Sequence, residues 1–203
     1  MKSVKKQVFF DNFVFQIFEE VYEPAEDSFL IAEQLVQIVK EDDAVLDIGT
    51  GCGILAVIAA KKAKKVIATD INPNAIECAK LNAENNHVAA KIEIRQSDLF
   101  QAIQKTEKFN LIIFNAPYLP TKNEEETWIE RAWAGGPTGR QIIDRFIIEA
   151  PHHLKTKGKI LLVQSNLADI NKTLEKFQTD LKVKVIAEKK VAFETIAVIE
   201  ATK

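Results

Sequence analysis

The sequence predicts an α/β fold: a seven-stranded, mostly parallel sheet with helices on both faces, a terminal antiparallel strand and a short N-terminal β-hairpin. Three observations carry this. Short apolar runs alternate with stretches of helical length through the middle of the chain, and that alternation builds a parallel sheet. The run Ala44-Val45-Leu46-Asp47-Ile48 opens onto Gly49, Gly51 and Gly53 and then onto the wholly apolar stretch 54–60, as a buried strand, a tight turn and a buried helix would. Two strand-like runs, 182–189 and 195–200, lie close enough together to pair antiparallel at the end.

Bulk properties narrow the class. A chain of 203 residues suffices for a single domain with a sizeable core, and one domain over 1–203, with 1–20 as a hairpin extension, is the expectation. Hydrophobic content of 47% and charged content of 28% exclude a disordered or fibrous chain. A formal charge of −2 excludes a global pull toward nucleic acid and leaves room only for a local basic patch. Cys52 and Cys78 are too few for a disulfide scaffold and lack metal-ligand spacing. They read as small core residues in a reducing, cytoplasmic compartment, and no metal site is expected. No apolar run is long enough for a membrane span, and the run 8–18 is broken by Asp11, Asn12 and Gln16, unlike a signal peptide.

In chain order, 8–18 reads as two strands around an Asp11-Asn12 turn, holding five of the twelve phenylalanines and suited to a flap over one end of the core. An acidic turn follows, with Pro24, Glu26 and Asp27 placed as helix-starting residues, and then Ile31, Leu35, Ile38 and Val39 at helical spacing. Read by spacing, this turn is a simple cap. The glycine loop needs residues without Cβ to turn tightly and admit a ligand close to the backbone. It matches neither the P-loop nor the dinucleotide fingerprint, whose third glycine would stand one position after Gly53. Strand 65–70 ends on Asp70, about twenty residues after Gly49, where an acid that binds ribose hydroxyls is expected. Asn72 and Pro73 then read as N-cap and first residue of a helix to about Asn86. The period-two run 91–95 is an edge strand, followed by Ser97-Asp98-Leu99-Phe100. Strand 109–114 is central and runs into Asn115-Ala116-Pro117-Tyr118. Residues 119–139 form a loop too long to be without a task, with Trp128, Trp133, Gly135 and Gly136. A helix over 140–153, a strand over 159–164, a helix over 167–178 and the terminal pair complete the order. His152 and His153 suit a helix end, and the acids Glu124 to Glu126 a solvated loop face that would repel phosphates.

Asn115-Ala116-Pro117-Tyr118 stands at the carboxyl end of a central strand, where ligands bind in open α/β sheets. By itself it reads equally as a turn. Together with Asp47 two residues before Gly49, it resembles class I S-adenosylmethionine-dependent methyltransferases with a Rossmann-like fold. Their Asn-Pro-Pro-Tyr signature serves acceptors such as glutamine amides and the exocyclic amine of adenine. The resemblance implies that the Asn115 side-chain oxygen and the Ala116 carbonyl take the two N–H hydrogens of such a nitrogen, aim its lone pair and stabilise developing positive charge. Tyr118 would supply a flat wall. Ala116 departs from the usual first proline, although Pro117 still biases it toward extended backbone, so rate rather than reaction type is affected.

The segment Val21-Tyr22-Glu23-Pro24-Ala25-Glu26-Asp27-Ser28, with Ala132-Trp133-Ala134-Gly135-Gly136, Gly139-Arg140 and Asp144-Arg145-Phe146, is similar to HemK-like methyltransferases of the eukaryotic and archaeal branch, over about residues 21–164. That family methylates the glutamine of the Gly-Gly-Gln motif in peptide chain release factors. The resemblance implies S-adenosyl-L-methionine as cofactor, held by Asp47, Gly49, Gly51 and Asp70, with Asp98 and the Leu99 main chain on the adenine. Tyr22 and Ser28 would close the site and Asn115 bind the acceptor, which makes the acidic turn part of the cofactor pocket. It further implies a small zinc-binding adaptor at the sheet edge near Lys91 to Arg95. An adenine methyltransferase on DNA or RNA, and a non-catalytic partner-binding subunit, remain as alternatives.

Overall fold

The computed structural model describes residues 4–122 and 126–203. β1 (Val4–Phe10) and β2 (Phe13–Phe18) form a separate antiparallel hairpin. The main sheet holds β3 (Ala44–Ile48), β4 (Lys65–Asp70), β5 (Ile92–Gln96), β6 (Phe109–Asn115), β7 (Leu154–Ser165), β8 (Lys182–Lys190) and β9 (Thr195–Thr202). Their order is β5-β4-β3-β6-β7-β9-β8. Pairs among β3 to β7 are parallel, and β9 is antiparallel to both neighbours. This is the strand count, mixed direction and terminal reversal that the sequence predicts, with β5 and β8 as the two edges. Strand order reverses between β3 and β6, so a crevice opens at their carboxyl ends.

The helices are α1 (Glu26–Ile38), α2 (Ile54–Lys62), α3 (Pro73–Asn85), α4 (Trp128–Trp133), α5 (Gln141–Glu149) and α6 (Ile170–Gln178). α1 packs on α2 and α2 on α3, while α5 packs on α6. Every residue from Ile54 to Ala60 is buried, as expected of a helix apolar on all sides. Asn72 caps α3 by accepting from the Asn74 N–H at 2.8 Å, with Pro73 at the first position. Among the described residues no helix is long and apolar enough to cross a membrane.

The phenylalanine-rich hairpin turns at Asp11, whose φ is 47°, and lies against α3. Phe15, Ile17 and Phe18 are buried there. Asn82, fully buried, accepts from the Gln16 N–H at 2.7 Å and donates to the Gln16 carbonyl at 2.8 Å. The same amide group also donates to the Cys52 carbonyl at 2.8 Å, so the hairpin is tied through α3 to the glycine loop. Asn86 repeats the pattern with Val14, at 3.1 and 2.9 Å. Cys52 and Cys78 are buried, as expected of core residues, and the Cys78 thiol donates to the Gln16 carbonyl at 3.1 Å.

Several boundaries differ from the sequence reading. Residues 150–153 form a 3-10 turn rather than the end of the α-helix, because Pro151 has no N–H to continue it. His153 is buried in that turn, stacked on Phe100 with ring centroids 5.0 Å apart, and not a surface charge at a helix end. β7 begins at Leu154, five residues early; Lys155, Lys157 and Lys159 hid an irregular stretch that pairs Phe109 with Leu154 across a register shift. α6 begins at Ile170, where Asp169 (φ 57°) accepts from the Lys172 N–H, after a separate 3-10 turn over Asn166–Ala168. β5 is the predicted edge strand but starts at Ile92, after a 3-10 turn at Ala89–Lys91.

Candidate active site

At the carboxyl ends of the parallel strands lies a cavity of about 520 Å³, the size of a small-molecule site. Eleven of the residues singled out by sequence meet in its wall: Tyr22, Ser28, Gly49, Gly51, Asp70, Asp98, Leu99, Asn115, Ala116, Pro117 and Tyr118. Asp47 is not among the lining residues. It is fully buried beneath the glycine loop, where its Oδ2 accepts from the Thr50 hydroxyl at 2.6 Å. Burial pushes its carboxyl from 3.8 up to about 7, against the opposing Thr50 hydrogen bond. Asp47 therefore stiffens the loop from below, and its Oδ1 is buried without a hydrogen-bond partner among the described residues.

The loop has its unusual shape because Gly49, Gly51 and Gly53 take φ of 62°, 57° and 86°. A Cβ on Gly53 would stand 3.0 Å from that of Ala79, so this glycine also lets the loop approach α3. Asp70 clamps the loop: its Oδ2 accepts from the Gly51 N–H and its Oδ1 from the Asn72 N–H, each at 2.8 Å. A carboxylate has about four lone-pair sites, so these bonds do not exhaust its capacity to accept. Burial raises this carboxyl too, and the main-chain N–H groups of Asn72, Gly51 and Ile71 oppose the rise. Asp98 accepts from Arg145 at 2.8 Å, and both side chains line the cavity. Leu99 adopts φ 48°, and the Ser97 hydroxyl holds that turn by donating to the Leu99 carbonyl at 3.0 Å and accepting from the Ala102 N–H at 2.9 Å.

Asn115 ends β6 with its amide orientation locked. Its Nδ2 donates to Asp27 Oδ2 at 3.1 Å and to Ser28 Oγ at 3.2 Å. A carboxylate accepts and does not donate, so the NH₂ must face Asp27 and the oxygen must face away. That oxygen, Oδ1, is buried and has no hydrogen-bond partner among the described residues. Asp27 is only 5% exposed. Its Oδ1 also accepts from the Ser28 N–H at 2.6 Å, and its Oδ2 from the Tyr22 hydroxyl at 3.3 Å. Burial first, and the Asp27 charge second, push the Tyr22 and Tyr118 hydroxyls above the usual phenol range. Both phenols thus stay protonated. The capping reading of the acidic turn needs correction: Ala25 is the N-cap residue and makes no side-chain cap, Glu26 pairs with Lys189, and Asp27 turns into the site.

The long segment after Tyr118 serves the same site. α4 opens with a capping box between Thr127 and Glu130, and it brings Trp128, Arg131 and Trp133 to the cavity. The Arg131 guanidinium lies 5.0 Å from the Trp128 ring centroid. Leu119 donates to the Trp133 carbonyl at 2.9 Å and accepts from the Gly135 N–H at 2.8 Å, a short parallel bridge directly after the segment 115–118. Gly139 has φ 72°, and a Cβ there would stand 2.2 Å from the Tyr118 carbonyl oxygen. The glycine-rich string is thus a mould for the backbone following Asn115. Arg140 is buried and donates to the Asp169 carbonyl at 2.8 Å, to Thr173 at 3.0 Å and to Asp144 at 2.7 Å, which makes Arg140 and Asp144 scaffold. Glu124 and Glu125 lie outside the described residues; Glu126 is exposed, and its N–H donates to Glu130.

Asp27, Arg145, Trp128 and Glu194 line the cavity without having been singled out as site residues. Asp27 and Arg145 had a signal in the strings 21–28 and 144–146, and Trp128 in its long loop; Glu194 had none.

Known proteins with a similar sequence or fold point to a family. A Methanocaldococcus jannaschii protein that carries the provisional name of protein N5-glutamine methyltransferase is 45% identical over 186 residues, 90% of this chain and 91% of its own. The human methyltransferase HEMK2 is 34% identical over 199 residues, 92% of this chain and 91% of its own. Among solved structures, the E. cuniculi Mtq2–Trm112 complex, described as responsible for methylating the eRF1 translation termination factor, superposes with a TM-score of 0.73. It is 24% identical and covers 91% of this chain and 99% of that one. Residues 26–193 match the methyltransferase small domain, and the chain belongs to that family.

Proposed function

We propose that this protein transfers a methyl group from S-adenosyl-L-methionine to the side-chain amide nitrogen of the glutamine in the Gly-Gly-Gln motif of a peptide chain release factor. The observation that carries the reading is Asn115 Oδ1, a buried acceptor with no partner on an amide whose NH₂ is already committed to Asp27 and Ser28. An orphaned buried acceptor at the end of a central strand suits a ligand that brings an N–H. The names borne by the M. jannaschii and E. cuniculi relatives support glutamine as the acceptor. The strings at 21–28 and 132–146 support a place in the eukaryotic and archaeal branch.

The residues present fit the cofactor. Asp70 offers carboxylate lone pairs to ribose hydroxyls, Asp98 and the Leu99 main chain suit an adenine, and Gly49 and Gly51 leave the loop backbone open to the methionine part. When bound, the cofactor supplies an electrophilic methyl group on a sulfonium. The chain's own part is to hold a poor nucleophile. Asn115 Oδ1 and the Ala116 carbonyl would each take one N–H of the acceptor amide, which aims its lone pair and favours positive charge on nitrogen. Pro117 holds Ala116 extended, and Tyr118, half-wrapped by the glycine-rich string, flanks the amide.

The exposed edge of β5, where Ile92 and Ile94 are half-buried beside exposed Glu93, suits strand pairing with a small zinc-binding adaptor. This reading places the protein in the cytoplasm, where translation ends. The test is methylation of purified release factor, with and without adaptor, read by peptide mass spectrometry. Methylated glutamine is expected, and is absent when that glutamine is changed to asparagine. Label found only in nucleic acid would replace the acceptor, and no transfer to any acceptor despite bound cofactor would favour a non-catalytic subunit.

A further inference from the structure

The cavity wall holds a second orphan. Glu194 lines it, and Glu194 Oε2 is buried with no hydrogen-bond partner among the described residues. The residue sits in the turn joining β8 to β9, where the Val191 N–H donates to the Glu194 carbonyl at 2.9 Å. The next N–H, of Thr195, donates to Asn166 Oδ1 at 2.7 Å, which pins the start of β9 to the end of β7. Because β9 runs antiparallel to β7, with Ile196 opposite Ser165, its first residues stand at the carboxyl edge of the parallel strands.

Topology decides which half of the cavity Glu194 serves. Gly49 and Asp98 follow β3 and β5 and Asp70 ends β4, all on one side of β6. Glu194 precedes β9, on the other side, and Asn115 at the end of β6 lies between them. The Glu194 charge nevertheless acts within the site, since it adds to the upward push on both Tyr22 and Tyr118. A buried carboxylate oxygen without a donor is costly in the free protein, and the cost is relieved when a ligand supplies an N–H.

We propose that Glu194 is a positioning residue for the methyl acceptor: its Oε2 accepts an N–H from the main chain of the polypeptide segment that carries the reacting amide, and so seats that segment on the β9 side of Asn115. The inference rests on the reading of the acceptor as a protein loop. It also sets a specificity, because a buried carboxylate at this place disfavours a phosphate-bearing strand.

The experiment compares Glu194→Ala and Glu194→Gln in the full chain, with adaptor added where activity requires it. Calorimetry gives S-adenosylmethionine affinity, and steady-state methylation of release factor gives kcat and KM for the acceptor. Cofactor affinity is expected to stay within about twofold, while kcat/KM for the acceptor falls roughly 10- to 100-fold in Glu194→Ala, mainly through KM. Glu194→Gln keeps an acceptor oxygen and is expected to lie between. The thermal midpoint of the free variants should be equal to or above that of the parent, since an unpartnered carboxylate has gone. Unchanged acceptor kinetics in Glu194→Ala, or a loss shared equally by cofactor binding and thermal midpoint in both variants, overturns the proposal. Failure of the unmodified protein to methylate release factor overturns instead the reading it rests on.

Discussion

Replacing Asp27 by asparagine tests how the site fixes its principal acceptor atom. The substitution keeps the volume and changes one property, the inability of a carboxylate to donate. In the native site Asp27 accepts from Asn115 Nδ2 at 3.1 Å, from the Ser28 N–H at 2.6 Å and from the Tyr22 hydroxyl at 3.3 Å. Asn115 is thereby held with Oδ1 unpartnered. An asparagine at position 27 can present its own NH₂ to Asn115 Oδ1, and the Ser28 hydroxyl, which donates to Asp27 Oδ1 at 3.1 Å in the native site, can turn to donate to a flipped Asn115 instead. A hydrogen bond to a charged group is worth about 1.5–3 kcal/mol, so the productive orientation loses roughly that lead over its flipped form. Turnover should fall roughly 10- to 100-fold, since each 1.4 kcal/mol is about tenfold. Single-turnover methylation of release factor measures this, and calorimetry should find S-adenosylmethionine affinity within about threefold. Because Asp27 acts through Asn115, adding Asp27→Asn to Asn115→Ala should cost little more than Asn115→Ala alone. Unchanged turnover in Asp27→Asn, full additivity of the two substitutions, or a loss confined to cofactor affinity would refute the reasoning.

Further predictions concern the acceptor atom, the scaffold and pH. Asn115→Ala should lower kcat far more than cofactor affinity, and the reverse pattern in calorimetry and kinetics would reassign it to the cofactor. Gly139→Ala forces a Cβ to within 2.2 Å of the Tyr118 carbonyl at a left-handed φ, so turnover and thermal midpoint should both drop, and an unaltered enzyme would show that the glycine string does not shape the site. Asn82→Ala strips the Gln16 and Cys52 main-chain groups of their partner and should destabilise the chain by about 2–4 kcal/mol in urea unfolding; a loss below about 1 kcal/mol would mean the hairpin is not anchored there. For Asp47, burial raises the carboxyl from 3.8 to about 7, so the native state keeps a proton that the unfolded chain releases. Stability should therefore fall as pH rises from about 4 to about 7 and level off above, and Asp47→Asn should flatten that slope; parallel profiles for the two proteins would contradict it.

Much of the architecture was legible because it follows from short stretches of chain. The apolar runs of β3, β4 and β6, the three glycines and the Asn72-Pro73 helix start each record a local demand of burial or backbone conformation. The alternation at Ile92 and Ile94 marked a sheet edge for the same reason. Where local rules met an irregular backbone, at the lysine-rich start of β7 and at Pro151, the boundaries slipped. Asp27 is the instructive case. Its position two residues into α1 satisfies every local criterion of a dipole-complementing acid, and the Asn115 amide that turns it inward lies 88 residues further on. Asn82 joins the hairpin to the glycine loop across 66 and 30 residues, and Arg145 meets Asp98 across 47. Glu194 enters the site only because β9 is inserted between β7 and β8 with reversed direction. The sequence by itself determined which segments are strands and helices, α4 in the long loop apart, and which signatures stand at their ends. Strand order and chain closure, set by packing among distant segments, decided which polar atoms in the cavity are paired and which are left open for a ligand.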